Sequence, residues 1–235
     1  MASALLGMDP PELPVAQLVR LTGLFGISEN RARVALSRMV AAGEATTDGA
    51  GRYRLAGHLA ARQSRQSASR AGTIATYDGT WWVAIVTTTG STADVRSARR
   101  RALTYARLAE LREGVWMRPA NVAVLLPDSL DGDMELMPAR PDGASRLAHR
   151  LWDLAAWAGR ADDLLSRLRA LAPDGPDALA PGFVLSAAVL RHLQADPLLP
   201  AELQPPEWPG ARLREDYDRW DARYRATLRT WSRRH

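Results

Sequence analysis

Gly26-Ile-Ser-Glu-Asn-Arg-Ala-Arg-Val-Ala-Leu-Ser-Arg-Met39 is a helix by its punctuation and by its period. Ser28 is a good N-cap residue, and Glu29 puts a negative charge in the first turn, where it favours the helix dipole. At about 100° per residue, Ala32, Ala35, Leu36 and Met39 fall on one side, with Val40 at its edge. Asn30, Val34 and Ser37 face the other way, flanked by Arg33 and Arg38. That second face has the chemistry to read a DNA major groove. Arginine bonds guanine acceptors bidentately, asparagine suits adenine, and a small apolar side chain touches the thymine methyl. Asn30, Arg33, Val34, Ser37 and Arg38 are therefore the candidate readout residues, with Ser28 and Arg31 as further DNA contacts at the helix start. A merely solvated amphipathic helix would carry a similar face, so the flanking segments have to discriminate.

They do so on both sides. Upstream, Pro14 opens a helix whose Leu18, Leu21 and Phe25 recur at helical spacing, and Gly23 and Gly26 end it. Downstream of Gly43, Glu44-Ala-Thr-Thr-Asp-Gly-Ala-Gly-Arg-Tyr-Arg-Leu55 is two short extended runs around an Asp-Gly turn signal. Alternation places Tyr53 and Leu55 inward, leaving Arg52 and Arg54 to face a phosphate backbone. Helix, turn, basic helix and basic hairpin in this order predict a winged helix-turn-helix over 1–57 that binds double-stranded DNA. The alternative is a winged helix used for protein contacts, which would not need the two wing arginines.

The chain has 235 residues, 46% of them apolar and 24% charged, which is enough to bury cores in two or three small domains. All 31 basic residues are arginine, against 26 acidic ones, for a net charge of +5. They cluster at 31–38, 52–70 and 96–101, as a phosphate-binding surface requires. The absence of cysteine excludes disulfide scaffolds, thiolate zinc sites and cysteine nucleophiles. His58, His149, His192 and His235 share no ligand-like spacing, so neither a metal nor another cofactor is expected. No apolar run is long enough to span a bilayer, and residues 1–7 are too short and uncharged for a signal peptide, so a cytoplasmic protein without membrane contact is expected.

Residues 58–76 are helix-compatible but poor in large apolar side chains, and read as a solvated linking helix. Its Arg62, Arg65 and Arg70 either reach DNA phosphates beside the wing or simply aid solubility. Over 77–144, Trp81-Trp-Val-Ala-Ile-Val86 reads as a buried strand, Arg96 to Leu111 as a helix, and Val115 to Met117 as a second strand. Val122 to Leu126 and Met134 to Met137, divided by Asp131-Gly132, are candidates for two more, which would make half or all of a ferredoxin-like domain. Over 145–235, residues 145–157, 161–171 and 183–193 read as amphipathic helices, and a proline-rich loop spans 197–209. The last helix carries Leu213, Tyr217, Trp220, Tyr224, Leu228 and Trp231 as one apolar stripe, to be covered from within the chain or by a dimer partner. Trp152, Trp157, Trp208, Trp220 and Trp231 are candidate walls of a pocket for an aromatic ligand, with nearby arginines holding its anionic group.

Several motifs in order resemble the PaaX-like repressors of phenylacetic acid degradation. They are Gly26 to Met39, Gly51-Arg-Tyr-Arg-Leu55, Tyr77-Asp-Gly-Thr-Trp-Trp82 and Gly114-Val-Trp-Met-Arg-Pro119. Leu151-Trp-Asp-Leu154, Leu199-Pro-Ala-Glu-Leu203 and Trp208-Pro-Gly210 extend the resemblance over nearly the whole chain. It implies an α+β protein with an N-terminal winged helix, a central ferredoxin-like (Cas2-like) domain and a C-terminal helical domain for dimerisation and effector sensing. It also implies a homodimeric repressor of aromatic catabolism, released from its operator by an aromatic acid or its acyl-CoA thioester. No short effector signature exists to match. Only Ala4-Leu-Leu-Gly7 precedes Asp9-Pro-Pro11, so N-terminal packing is expected to be abbreviated, or the start to lie upstream.

The Cas2 likeness raises a metal-dependent nuclease, for which Asp78 is the nearest carboxylate. Its Tyr-Asp-Gly-Thr setting favours a turn role, in which aspartate bonds its own backbone. With no nucleophile elbow, phosphate loop or zinc motif, an enzyme is not expected.

Overall fold

The computed structural model describes residues 2–6, 10–72, 74–124, 126–127, 130 and 132–234. Residues 1, 7 and 9, Leu125, Asp131 and His235, which entered the readings above, lie outside the described residues. The protein is a mixed helix and sheet structure with two antiparallel sheets. It divides into two compact units, the first made of 1–71, 160–194 and 209–235, the second of 72–159 and 195–208. The segment 145–235 is therefore shared between the units rather than forming one helical block.

In the first unit, α1 (Ala2–Leu6) leads to β1 (Glu12–Pro14), α2 (Val15–Gly23), α3 (Glu29–Ala41), β2 (Ala45–Thr47) and β3 (Arg52–Leu55). Leu5, Leu18 and Leu36 are fully buried and share one core with Leu13, Leu21, Met39 and Leu55. β3 is the centre of the small sheet, paired antiparallel to β2 on one side and to β1 on the other. The β1 pairing is not among the sequence expectations, in which Pro14 opens a helix. Glu12, Leu13 and Pro14 still form a strand at a sheet edge, where proline costs no ladder bond.

The expected linking helix is α4 (Gly57–Ala71), and it is packed rather than solvated. Leu59 and Ser69 are buried, and α4 lies against α8 (Leu179–Gln194). Arg70 is engaged within the unit. Its Nε and Nη1 donate to Asp218 (2.6 Å) and Asp221 (2.7 Å), and its guanidinium lies 4.8 Å over the Tyr217 ring.

α9 (Gly210–Arg234) carries the apolar stripe, and its cover is intramolecular. Leu213, Tyr217, Trp220 and Tyr224 are at most 5% exposed, while Leu228 and Trp231 pack on the core of the first unit. The polar ends are satisfied: Trp220 Nε1 donates to Leu171 O, Tyr224 OH to Leu179 O, and the Tyr217 hydroxyl pairs with Ser186. Gly182 permits this packing, since a Cβ there would sit 2.6 Å from the Tyr224 ring.

In the second unit, β4 (Trp81–Val86), α5 (Ala93–Tyr105), β5 (Ala109–Arg112), β6 (Val115–Pro119) and β7 (Met134–Ala139) make a sheet in the order β5-β6-β4-β7. Both faces are covered, which is why β4 reads as a continuous apolar run. Trp81 and Met117 pack under α6 (Ala144–Leu151) with Leu199 and Leu203, while Ala84 and Trp116 pack under α5 with Leu103. The helix expected to reach Leu111 stops at Tyr105, and β5 takes its place. Arg107 ends it at φ 63°, a left-handed position where a glycine would have been the visible signal. Val122 to Leu126 contributes no strand among its described residues, because β7 already occupies the open side of β4. Asn121 instead ties this turn to Leu198 O at 2.8 Å. The first expected C-terminal helix breaks at Trp152, and Asp153 caps the amide of Ala156 to start α7 (Leu154–Ala170), which runs through Gly159.

Candidate nucleic-acid interface

α3 is held from one side only. Ala32, Leu36 and Met39 anchor it, with relative exposures of 0%, 0% and 7%, and Ala35 is half-buried. The opposite face is open: Asn30, Arg31, Arg33, Val34, Ser37 and Arg38 are all exposed, as is Ser28 at its start. Thus every candidate of the helix lies on one accessible surface. Ser28 occupies the N-cap position with extended backbone, yet its hydroxyl makes no capping bond. Its carbonyl accepts from Ala32 N at 3.0 Å. Arg33 is partly occupied, because its guanidinium pairs with Glu29 at 2.7 Å one turn earlier. Ser37 Oγ donates to Arg33 O at 3.2 Å. Arg31 and Arg38 have no carboxylate partner among the described residues.

The hairpin is built as its sequence requires. Asp48 Oδ1 accepts from Ala50 N (2.8 Å) and Arg52 N (3.0 Å), closing the turn, and these bonds hold its carboxyl below the usual carboxylate range. Gly49 and Gly51 take positive φ values of 76° and 89°, open to glycine at no steric cost. Tyr53 and Leu55 turn inward and Arg52 and Arg54 outward. The sequence did not reveal their partner. β1 sets Glu12 opposite Arg54, and the Glu12 carboxylate accepts from Arg52 Nη2 at 3.1 Å and from Arg54 Nε at 2.9 Å. The hydrogen bonds from Arg54 and then Arg52 hold the Glu12 carboxyl below its ordinary value. In the free protein, the wing therefore presents two guanidinium groups bridged by one carboxylate.

The other candidates lie elsewhere. Asp78 accepts from Thr80 N at 2.9 Å and pairs with Arg140 at 3.0 Å, which is the turn role. The five tryptophans do not share one wall. Trp157 stacks on Trp208 at 4.4 Å and Trp152 adjoins Trp81 in the second unit, whereas Trp220 stacks on Tyr224 in the first.

The sequence profile of the PaaX-like proteins matches residues 3–59, the segment that holds α1 to β3. The N-terminal segment of the chain is thus PaaX-like. Among solved structures it is similar to the uncharacterized protein Rv0674 from Mycobacterium tuberculosis, with 39% sequence identity, 98% of this chain and 96% of that one covered, and a TM-score of 0.76. No curated protein matches it. The matched segment coincides with the candidate interface. Among the described residues, no helix is long and apolar enough to cross a membrane.

Proposed function

We propose that this PaaX-like protein is a sequence-specific transcriptional regulator. In this reading the first unit carries a winged helix-turn-helix, α3 enters the major groove, and the β2–β3 hairpin lies along the phosphate backbone. The observation that carries it is the one-sided burial of α3: seven candidate DNA contacts exposed on the face opposite Ala32, Leu36 and Met39. Asn30, Arg33, Val34, Ser37 and Arg38 read bases, while Ser28, Arg31, Arg52 and Arg54 hold phosphates. The sheet order β5-β6-β4-β7 supports a ferredoxin-like second unit that lacks the usual helix before its last strand. The family likeness supports repression, a homodimer on two half-sites, and release by an aromatic acid or its acyl-CoA thioester in the cytoplasm. The reading assigns no catalytic step.

The Glu12 bridge favours a second reading, a winged helix for protein contacts, because it removes half of the wing's charge. A fluorescence-anisotropy titration with the promoter DNA upstream of the protein's own gene, against a scrambled duplex in about 0.15 M salt, separates the two. Tight binding that prefers the promoter is expected. Equal and weak binding to both duplexes would transfer the assignment to protein contacts.

A further inference from the structure

Within the first unit, α1, α2, α4, α8 and α9 surround a cleft of two lobes. The inner lobe, of about 100 Å³, is walled by Leu6, Leu21, Phe183, Leu190, Tyr224 and Leu228. The outer lobe, of about 510 Å³, shares Leu6, Gln66, Leu190, Asp221 and Arg225 with it and opens to solvent. Arg62 and Arg191 line the inner lobe, Arg70 the outer and Arg225 both, with Asp221 in both lobes and Asp218 in the outer. Asp221 is taken by Arg70 and by Arg225 (2.8 Å), and Asp218 by Arg70. Arg62 and Arg191 have no carboxylate partner among the described residues. An apolar slot below an uncompensated cationic rim suits an amphiphilic anion.

Resting on the regulator reading, we propose that this cleft is the effector site and takes an apolar aryl or acyl group whose anionic head lies at Arg191. A cavity of about 150 Å³ is enough to hold benzene, so the inner lobe with part of the outer one admits a ring or a short chain. A carboxylate fits at Arg191 on the wall of the inner lobe, and the adjoining outer lobe leaves room for the larger head of a coenzyme A thioester. Polar ties run through the same region: Gln194 Nε2 donates to Gln66 Oε1, and Gln66 Nε2 donates to Leu6 O at 3.2 Å. A ligand seated against Leu6 and Gln66 disturbs the tie that holds α1. Leu6 and Leu21 belong to the core that seats α3, and Phe25, just beyond α2, meets Phe183 edge-on at 5.3 Å. Occupancy is thereby coupled to the pose of the recognition helix, through differential contacts of the kind that linkage requires.

The test is isothermal titration calorimetry on the full chain with phenylacetate, hexanoate, their coenzyme A thioesters, and coenzyme A alone. At least one acid or thioester binds, and Arg191→Glu weakens it about tenfold or more, the effect of one lost charge contact. Ala187→Phe, which fills the inner lobe, abolishes it. Both variants keep the wild-type far-ultraviolet circular dichroism and a cooperative thermal transition, which shows that they fold. Free acids binding as well as thioesters assigns the head to a carboxylate; thioesters alone assigns it to phosphates. Binding indifferent to both variants, or no binding by any probe, overturns the site. A protein that binds a probe in the cleft but no promoter keeps the site and sinks the regulator reading.

Discussion

Glu12→Gln is expected to tighten DNA binding, although it removes ion pairs that the structure displays. The carboxylate bridges Arg52 and Arg54, so the three side chains present a net charge of +1 where two guanidinium groups would present +2. Arg54 first, then Arg52, hold the carboxyl below its ordinary value, so it is ionised at neutral pH and opposes any phosphate that approaches. Glutamine keeps the shape and the β1–β3 pairing but drops the charge. Each phosphate neutralised on duplex DNA contributes about 0.9 to the slope of log affinity against log salt. One extra effective contact therefore makes affinity fall by about a further 3.5-fold between 0.05 and 0.2 M salt. Anisotropy titrations at four salt concentrations, on promoter and scrambled duplexes, measure both slope and affinity. Both duplexes should gain equally, because phosphate contacts carry no sequence information. A variant that binds more weakly with an unchanged slope would refute the argument, and would mean that Glu12 positions the arginines rather than competing for them.

Arg33→Ala should relax the preference at one base pair by about 1–3 kcal/mol and leave binding to scrambled DNA nearly unchanged, as a selection from randomised half-sites would show. Equal losses on all sequences would place Arg33 on the backbone instead. Gly182→Ala puts a Cβ 2.6 and 2.8 Å from two Tyr224 ring atoms, and Tyr224 is held by its hydroxyl on Leu179 O and by its stack on Trp220. The gain in helix propensity, about 1 kcal/mol, is outweighed by overpacking of about 1–3 kcal/mol, so the thermal midpoint should fall by a few degrees. A rise would show that α9 yields. Glu12, Asp48 and Asp78 all have carboxyls held below their ordinary values. Their contribution is complete above the ordinary carboxylate range and lost as pH falls through the lowered values, so thermal stability should hold down to about pH 4.5 and fall below it. A decline that begins near pH 6 would point to other groups.

What the sequence disclosed depended on whether a residue's own neighbours along the chain fixed its role. The face of α3 was legible because period and chemistry agreed over thirteen residues: the same rotation that buries Ala32, Leu36 and Met39 exposes Asn30, Arg33 and Arg38. The hairpin was legible because Asp48, Gly49 and Gly51 are turn residues with a local mechanism. Glu12 was not, because its role arises from a strand pairing forty residues away, and prolines on either side hide the strand. The end of α5 was hidden for the opposite reason, an arginine in the left-handed position where glycine is the usual signal. Arg70 was missed for a third: a basic residue on a polar helix looks solvated until Asp218, Asp221 and Tyr217 arrive from α9.

The first and third of these, Glu12 and Arg70, share a consequence for function. The elements proposed to face DNA are locally encoded, so they stay legible in one sequence. The parts that restrain them are encoded at long range: Glu12 on the wing, the α9 carboxylates on α4, and Arg20 of α2, which donates to Ser232 O at 2.9 Å. A regulator needs its readout fixed and its restraint adjustable. Local encoding suits the first requirement, because a recognition face that depends only on helical period survives small shifts of the whole helix. Long-range pairs suit the second, since each is a contact that a ligand or a phosphate can exchange for another of equal kind. The cleft at Arg191 lies among the second class of contacts, and the candidate bases of recognition lie wholly in the first.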